Sequence, residues 1–137
     1  MLAKVKFCGM TRPQDAAIGA EIGASYIGVV FADGPRRVTP AQAKTIFEAA
    51  GRKVKHVGVF GTNDPDEIAR TSEQTRLDVV QLHADPTTSD VRAIRGKFSG
   101  ETWAAIRIAG AHLRPEARAL FYAAAAVVRV AGRGRAP

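Results

Sequence analysis

Six short apolar segments recur along the chain every roughly 22 to 29 residues, and this spacing limits the possible folds more than any other feature. They span residues 4–8, 26–31, 54–60, 79–83, 103–108 and 125–130, and each is rich in Val, Ile or aromatic residues. The stretches between them have helical spacing instead: Ala16, Ala17, Ala20 and Ile22, then Ala43, Ile46, Phe47 and Ala50, then Ile68 with Ala69, then Val91 with Ile94. Strands separated by a helix-length crossover lie parallel, and the crossover is right-handed. Two architectures satisfy that repeat, a closed (β/α) barrel and an open doubly wound sheet. No Gly-x-Gly-x-x-Gly follows any of the strands, so the dinucleotide fingerprint is missing.

The helix starts are written in local chemistry. Thr39-Pro40-Ala41-Gln42 combines a capping hydroxyl, a proline at the first helical position and a glutamine able to bond back. Asp64-Pro65-Asp66-Glu67 repeats the arrangement with acids, and Asp85-Pro86 is expected to open the fourth helix in the same way. Thr11-Arg12-Pro13-Gln14 opens the first. Gly23 and Gly51 fall where helices should stop, and Gly96 and Gly100 flank the exit of the fourth. Counting gives five strand–helix repeats and a sixth strand.

The first segment ends in a distinctive sequence, Val5-Lys6-Phe7-Cys8-Gly9-Met10-Thr11-Arg12. Val5 and Phe7 alternate with Lys4 and Lys6 as in a strand with one polar face. Cys8 is expected as its last residue, before a turn at Gly9. From position alone, Cys8 reads as a small buried hydrophobe, as most free cysteines are. A thiol at the carboxyl end of a strand also stands where α/β proteins place their chemistry.

Four stretches together carry a family resemblance: "VKFCGMTRPQDA" at the amino terminus, "VGVF" at residues 57–60, "FADGPRRVTP" at 31–40, and Val79-Val80-Gln81-Leu82-His83. In their order and spacing along the chain they resemble the N-(5'-phosphoribosyl)anthranilate isomerase family of tryptophan biosynthesis, well over roughly residues 3 to 108 and weakly beyond. The resemblance selects the barrel. It implies a partial (β/α)8 TIM barrel, α/β in class with a parallel sheet, of about five βα units plus a sixth strand. Residues 1–137 then form one incomplete barrel domain, of which 109–137 are a divergent basic carboxy-terminal segment. A full barrel usually needs about 200 or more residues, and this chain has 137.

The resemblance also implies the chemistry, an Amadori rearrangement of an aminoaldose to an aminoketose. The opened sugar forms a Schiff base, a proton leaves C2', and the enamine becomes the ketone, with one general acid at the ring oxygen and one base at C2'. By the family pattern Cys8 is the catalytic base and Arg36 contacts the anthranilate end of the substrate, its fork suited to a planar carboxylate. Gln81 and His83 match the fourth-strand signature and are expected to line the pocket. The barrel mouth as a whole would collect Cys8, the loop from Asp33 to Arg37, Thr62, Asn63, Gln81, His83, Arg107 and Arg129. No cofactor is implied, no histidine–carboxylate spacing suggests a metal, and His56 and His112 read as structural.

The family pattern breaks near the carboxyl end. The family's general acid is an aspartate ending strand six. In the comparable run, Ala123-Ala124-Ala125-Ala126-Val127-Val128-Arg129, that place falls on Arg129, which stays protonated and cannot serve as an acid near neutral pH. Residues for strands seven and eight and their phosphate loops do not follow. The expectation is therefore an isomerase by lineage, carboxy-terminally truncated, with little turnover of its own. The alternative is a non-catalytic barrel fragment acting as an interaction or scaffold module.

Charge and composition bear on partners. The net charge of +7 lies entirely beyond residue 91, where nine Lys/Arg face two Asp/Glu. Those arginines lack interleaved aromatics and any nucleic-acid motif, which argues against nucleic acid as a partner. The expected partner is a small phosphosugar–anthranilate molecule, with no membrane contact. Unpaired edges on strands one and six would open a route to self-association. A single cysteine excludes an internal disulfide and suits a cytoplasmic setting.

Overall fold

The computed structural model describes residues 2–108, 115–124 and 126–131; His112 and residues 132–137 lie outside them. Eleven elements alternate along the chain: β1 (Lys6–Phe7), α1 (Pro13–Glu21), β2 (Tyr26–Val30), α2 (Pro40–Ala50), β3 (Lys55–Phe60), α3 (Pro65–Thr75), β4 (Val79–Leu82), α4 (Thr88–Arg95), β5 (Glu101–Ile108), α5 (Pro115–Ala123) and β6 (Ala126–Ala131). The six strands form one sheet in the order β1-β2-β3-β4-β5-β6, every neighbour parallel. Five βα units and a sixth strand are thus present, as the repeat predicts. No helix among the described residues is long and apolar enough to cross a membrane.

Local chemistry sets most helix starts. Thr39 and Gln42 form a reciprocal capping box at α2, and the Asp64 carboxylate accepts from the N–H groups of Asp66 and Glu67 at α3, each helix with proline in its first turn. Helix α4 departs from expectation. It starts at Thr88, with Thr87 as the cap and Asp90 completing a capping box, not at Asp85-Pro86. Asp85 instead adopts φ +46 in the turn leaving β4, a left-handed conformation that Asp tolerates better than most residues. Two glycines with positive φ, Gly23 and Gly51, stand where α1 and α2 stop.

The sheet buries both faces, which is why β4 and most of β2 and β3 lack alternation. On the outer face Ile27, Val29, Phe60, Val80, Leu82 and Ala104 pack against Ala16, Ile46, Phe47, Ile68, Val91 and Leu120 of the helices. On the inner face Tyr26, Val57, Val79 and Trp103 form a smaller cluster with Ala126 against it, Tyr26 and Trp103 edge to face at 4.9 Å between ring centroids. Helix α1 departs from its expected face: Ala16 and Gly19 are buried, whereas Ile22 is exposed together with Ile18.

Contacts across the inner face show that the sheet is curled into part of a barrel. Lys6 of β1 donates to Gln81 Oε1 of β4 at 2.5 Å, and its Nζ stands 6.0 Å from the centre of the Trp103 ring on β5. In a flat sheet β1 and β4 would be about 14 Å apart, so curvature is what brings these side chains together. At the amino-terminal end of the strands, Lys55 of β3 donates to Glu101 of β5 at 2.8 Å. Glu101 also accepts from Trp103 Nε1. The bond to Glu101 raises the Lys55 pKa. The bond from Lys55, and then that from Trp103, lower the Glu101 pKa.

Candidate functional site

All six strands run the same way, so the residues at and just past their carboxyl ends share one mouth. Strand β1 ends at Phe7, one residue before the expected boundary, and Cys8 lies just beyond it. Cys8 is exposed, which overturns its reading as a buried hydrophobe. The chain then turns at Gly9, whose φ of +74 is natural only for glycine. Met10 N–H donates to the Gly28 carbonyl at 3.0 Å, fixing the turn against β2.

Two glycines make room for the side chains around Cys8. A Cβ on Gly9 would meet Arg36 Cδ at 2.9 Å and Arg36 Nη1 at 3.1 Å, so the Arg36 side chain lies across the turn that carries Cys8. A Cβ on Gly28 would meet Lys6 Cε at 3.0 Å and Cys8 Sγ at 3.3 Å. The thiol and the end of the Lys6 chain therefore share the small space left bare by Gly28. The neighbouring Arg37 is ion-paired with Asp33 in the same loop.

Gln81 is buried on the inner face and holds Lys6. His83 follows it two residues later, on the same side by strand alternation, and its N–H donates to the Phe60 carbonyl at 3.0 Å. The His83 Nε2 is enclosed and has no hydrogen-bond partner. Asn63, in the loop after β3, donates from Nδ2 to the Ala84 carbonyl at 2.9 Å, tying the β3 and β4 loops together, and its Oδ1 is likewise enclosed without a partner. Such atoms at a mouth are free to bond a ligand or water. Arg107 stands 4.0 Å from Asp85. Arg129 pairs in register with Ile106, and its side chain lies outside the described residues.

Cys8, Arg36, Gln81 and His83 thus stand at one end of the sheet, with Arg36 joined to Cys8 through Gly9 and Gln81 joined to it through Lys6. Sequence reading missed Lys6. Its alternation with Val5 and Phe7 suggested a solvent-facing residue, whereas it is partly buried and crosses the barrel interior. The available signal was the length of its side chain together with a glycine, Gly28, in the neighbouring strand β2. His56 is structural, as expected: it is buried, stacked on Phe47 at 4.4 Å, and its pKa is lowered, chiefly by burial.

Residues 5–108 match the family model described as N-(5'phosphoribosyl)anthranilate (PRA) isomerase. The N-(5'-phosphoribosyl)anthranilate isomerase of Bacillus velezensis is 36% identical over 115 residues, which cover 84% of this chain and 53% of that protein. The chain spans about half the length of the curated relatives it matches. The crystal structure of phosphoribosyl anthranilate isomerase from Thermus thermophilus superposes with a TM-score of 0.81 at 35% identity, covering 93% of this chain and 62% of that one. Another, in complex with reduced 1-(o-carboxyphenylamino)-1-deoxyribulose 5-phosphate, superposes with a TM-score of 0.82 at 28% identity, covering 96% and 66% respectively.

Proposed function

The chain belongs to the N-(5'-phosphoribosyl)anthranilate isomerase family, and on that footing we propose that its mouth is the Cys8-centred part of a phosphoribosylanthranilate isomerase site. The substrate is N-(5'-phosphoribosyl)anthranilate, the reaction its rearrangement to the aminodeoxyribulose phosphate of tryptophan biosynthesis, and the setting a reducing cytoplasm that keeps Cys8 a free thiol. In this reading the opened sugar carries an iminium at C1'. Cys8 as thiolate takes the C2' proton, and the C–H electron pair becomes the C1'=C2' bond of a neutral enaminol. The C2' hydroxyl then loses its proton as C1' gains one, leaving the aminoketone. Arg36 binds the anthranilate carboxylate, and Gln81 and His83 line the pocket.

The observation that carries this reading is the Arg36 side chain lying across Gly9 beside an exposed Cys8, which puts a carboxylate-binding fork next to a thiol at the strand ends. The general acid is a separate matter. In the loops after β2, β3 and β4 the carboxylates are Asp33, Asp64 and Asp85, each engaged by an arginine or by a helix amino terminus. With no free acid beside that base among the described residues, the ring oxygen is left unprotonated, and slow turnover of bound substrate is expected.

The test has two arms. Calorimetric titration with the reduced product analogue should show binding that Arg36→Ala weakens by about 10- to 100-fold, the usual worth of a charged hydrogen-bond pair. A fluorescence assay on freshly generated substrate should show a low rate that Cys8→Ser abolishes. No analogue binding, or binding indifferent to Arg36, would refute the assignment. A robust rate that depends on Cys8 would instead refute the argument about the missing acid.

A further inference from the structure

The inner floor of the mouth holds a lysine that the proposed mechanism does not yet use. Lys6 leaves β1, passes the bare backbone of Gly28, and has its ammonium held by Gln81 from the opposite side of the curled sheet. An ammonium has three donors, and Gln81 Oε1 engages one of them. The Trp103 ring, 6.0 Å from Nζ, limits its freedom on a third side. The same gap over Gly28 holds the Cys8 thiol. A cation crossing a barrel interior, fixed at its tip and sharing a space with the only cysteine, is better explained by charge placement than by packing.

We propose that Lys6 is a further substrate-contacting residue: its ammonium donates a hydrogen bond to the oxygen on the carbon that Cys8 deprotonates. This rests on the isomerase reading above. The base must approach C2', and the group sharing its space then falls beside the oxygen bonded to that same carbon. When the enaminol becomes the ketone, the C2' hydroxyl gives up its proton to solvent and C1' takes one up. Negative charge grows on the C2' oxygen between those two transfers. A fixed ammonium stabilises that charge without reorganising, and Gln81 is the positioning residue that keeps it fixed.

Alkylation of Cys8 tests the charge placement without needing turnover, because the chain has a single cysteine and every alkylation event reports on it. Iodoacetate is anionic and iodoacetamide neutral, so the ratio of their rate constants cancels the thiolate fraction and reads only the local charge. At fixed mildly alkaline pH, Lys6→Met should lower the iodoacetate-to-iodoacetamide ratio by about threefold or more, the Coulomb effect of removing one nearby charge at a protein surface. Lys6→Arg should keep the ratio near the wild-type value, and Lys6→Gln serves if Lys6→Met fails to fold by circular dichroism. Repeating the series in an Arg36→Ala background separates Lys6 from the neighbouring arginine. A ratio unchanged in both neutral variants overturns the proposal, whatever the turnover. In the isomerase assay, Lys6→Met should lower kcat more than it raises KM; a loss confined to KM would overturn the role at the developing oxyanion. A lowered ratio in a chain that fails to bind the product analogue would leave the cation placed and overturn the isomerase reading instead.

Discussion

At the end of the strands away from the mouth, His56 shows how one side chain ties several elements together. Its Nε2 donates to the Gly51 carbonyl at 2.7 Å, its Nδ1 accepts from the Arg52 guanidinium at 2.9 Å, and its ring stacks on Phe47 of α2. The Asp78 carboxylate, before β4, accepts the His56 backbone N–H at 2.8 Å and stands 3.8 Å from Arg52. Protonating Nδ1 would turn an acceptor into a donor facing a guanidinium. Burial, and to a smaller extent Arg52, hold the pKa below its ordinary 6.5, against the opposing pull of the Gly51 carbonyl and of Asp78. The sign follows: the unfolded chain binds the proton more tightly, so stability is full above about 6.5 and falls as pH drops through the folded value. Urea unfolding at pH 7.5 and 5.5 should show the wild type losing stability on acidification by more than His56→Leu does. At pH 7.5 that variant should itself be less stable by about 1–3 kcal/mol, because it strands the Gly51 carbonyl.

Among the elements, α4 separates a local signal that the fold uses from one that it does not. Asp85-Pro86 has the composition of a helix start, but Thr87 provides the cap: its hydroxyl accepts the Asp90 N–H at 3.1 Å, and Asp90 accepts the Thr87 N–H at 2.8 Å. Asp85 is left in the turn at positive φ, close to Arg107 on β5. Both starts obey the same capping chemistry, but Asp85 at φ +46 lacks the extended backbone of a cap residue, whereas Thr87 has it. Thr87→Ala should therefore cost about 1 kcal/mol, whereas Thr88→Ala, inside the helix, should be neutral or stabilising by about a few tenths of a kcal/mol; chemical denaturation midpoints would distinguish them. Helix α1 lacks a side-chain cap on Arg12 and relies on Pro13 and on packing at Gly19, where Ile27 and Phe7 leave no space for a Cβ.

For the whole molecule, curvature creates the site and the sheet edge beside it. Strand β1 pairs with β2 and with no other described strand, and the large hydrophobic residues exposed among the described residues, Leu2, Val5, Ile18 and Ile22, lie before β1, within α1 or just past its end. Ile18 and Ile22 line a shallow groove with Phe7 and Met10. Unpaired strand edges and exposed apolar patches are in general where chains associate. In sedimentation velocity, Ile18→Lys with Ile22→Lys should shift any self-association of the chain to concentrations about tenfold higher or more, the effect of removing two apolar side chains from a contact. Sedimentation unchanged from an associating wild type would place the contact elsewhere.

Much of this architecture is legible in the amino-acid sequence because its signals act over a few residues. Proline limits φ, a threonine or aspartate oxygen satisfies nearby N–H groups, and a crossover of helical length makes strands parallel wherever they pack. The position of Cys8, Arg36, Gln81 and His83 at or beyond strand ends follows from the same local grammar, with the motif resemblance supplying only the roles proposed for them. Which way a side chain looks depends on residues far away in the chain. Lys6 alternates like a solvent-facing residue, yet the curl of the sheet brings Gln81, 75 positions further on, within hydrogen-bond distance of it. Ile22 fits the apolar pattern of its helix, yet it is exposed because no described element packs over that side of α1. The chain by itself determined the succession of strands and helices and the parallel direction of the strands, whose causes are local. Only the tertiary structure decided which polar groups were drawn inside, because that depends on the closing curvature of the whole sheet.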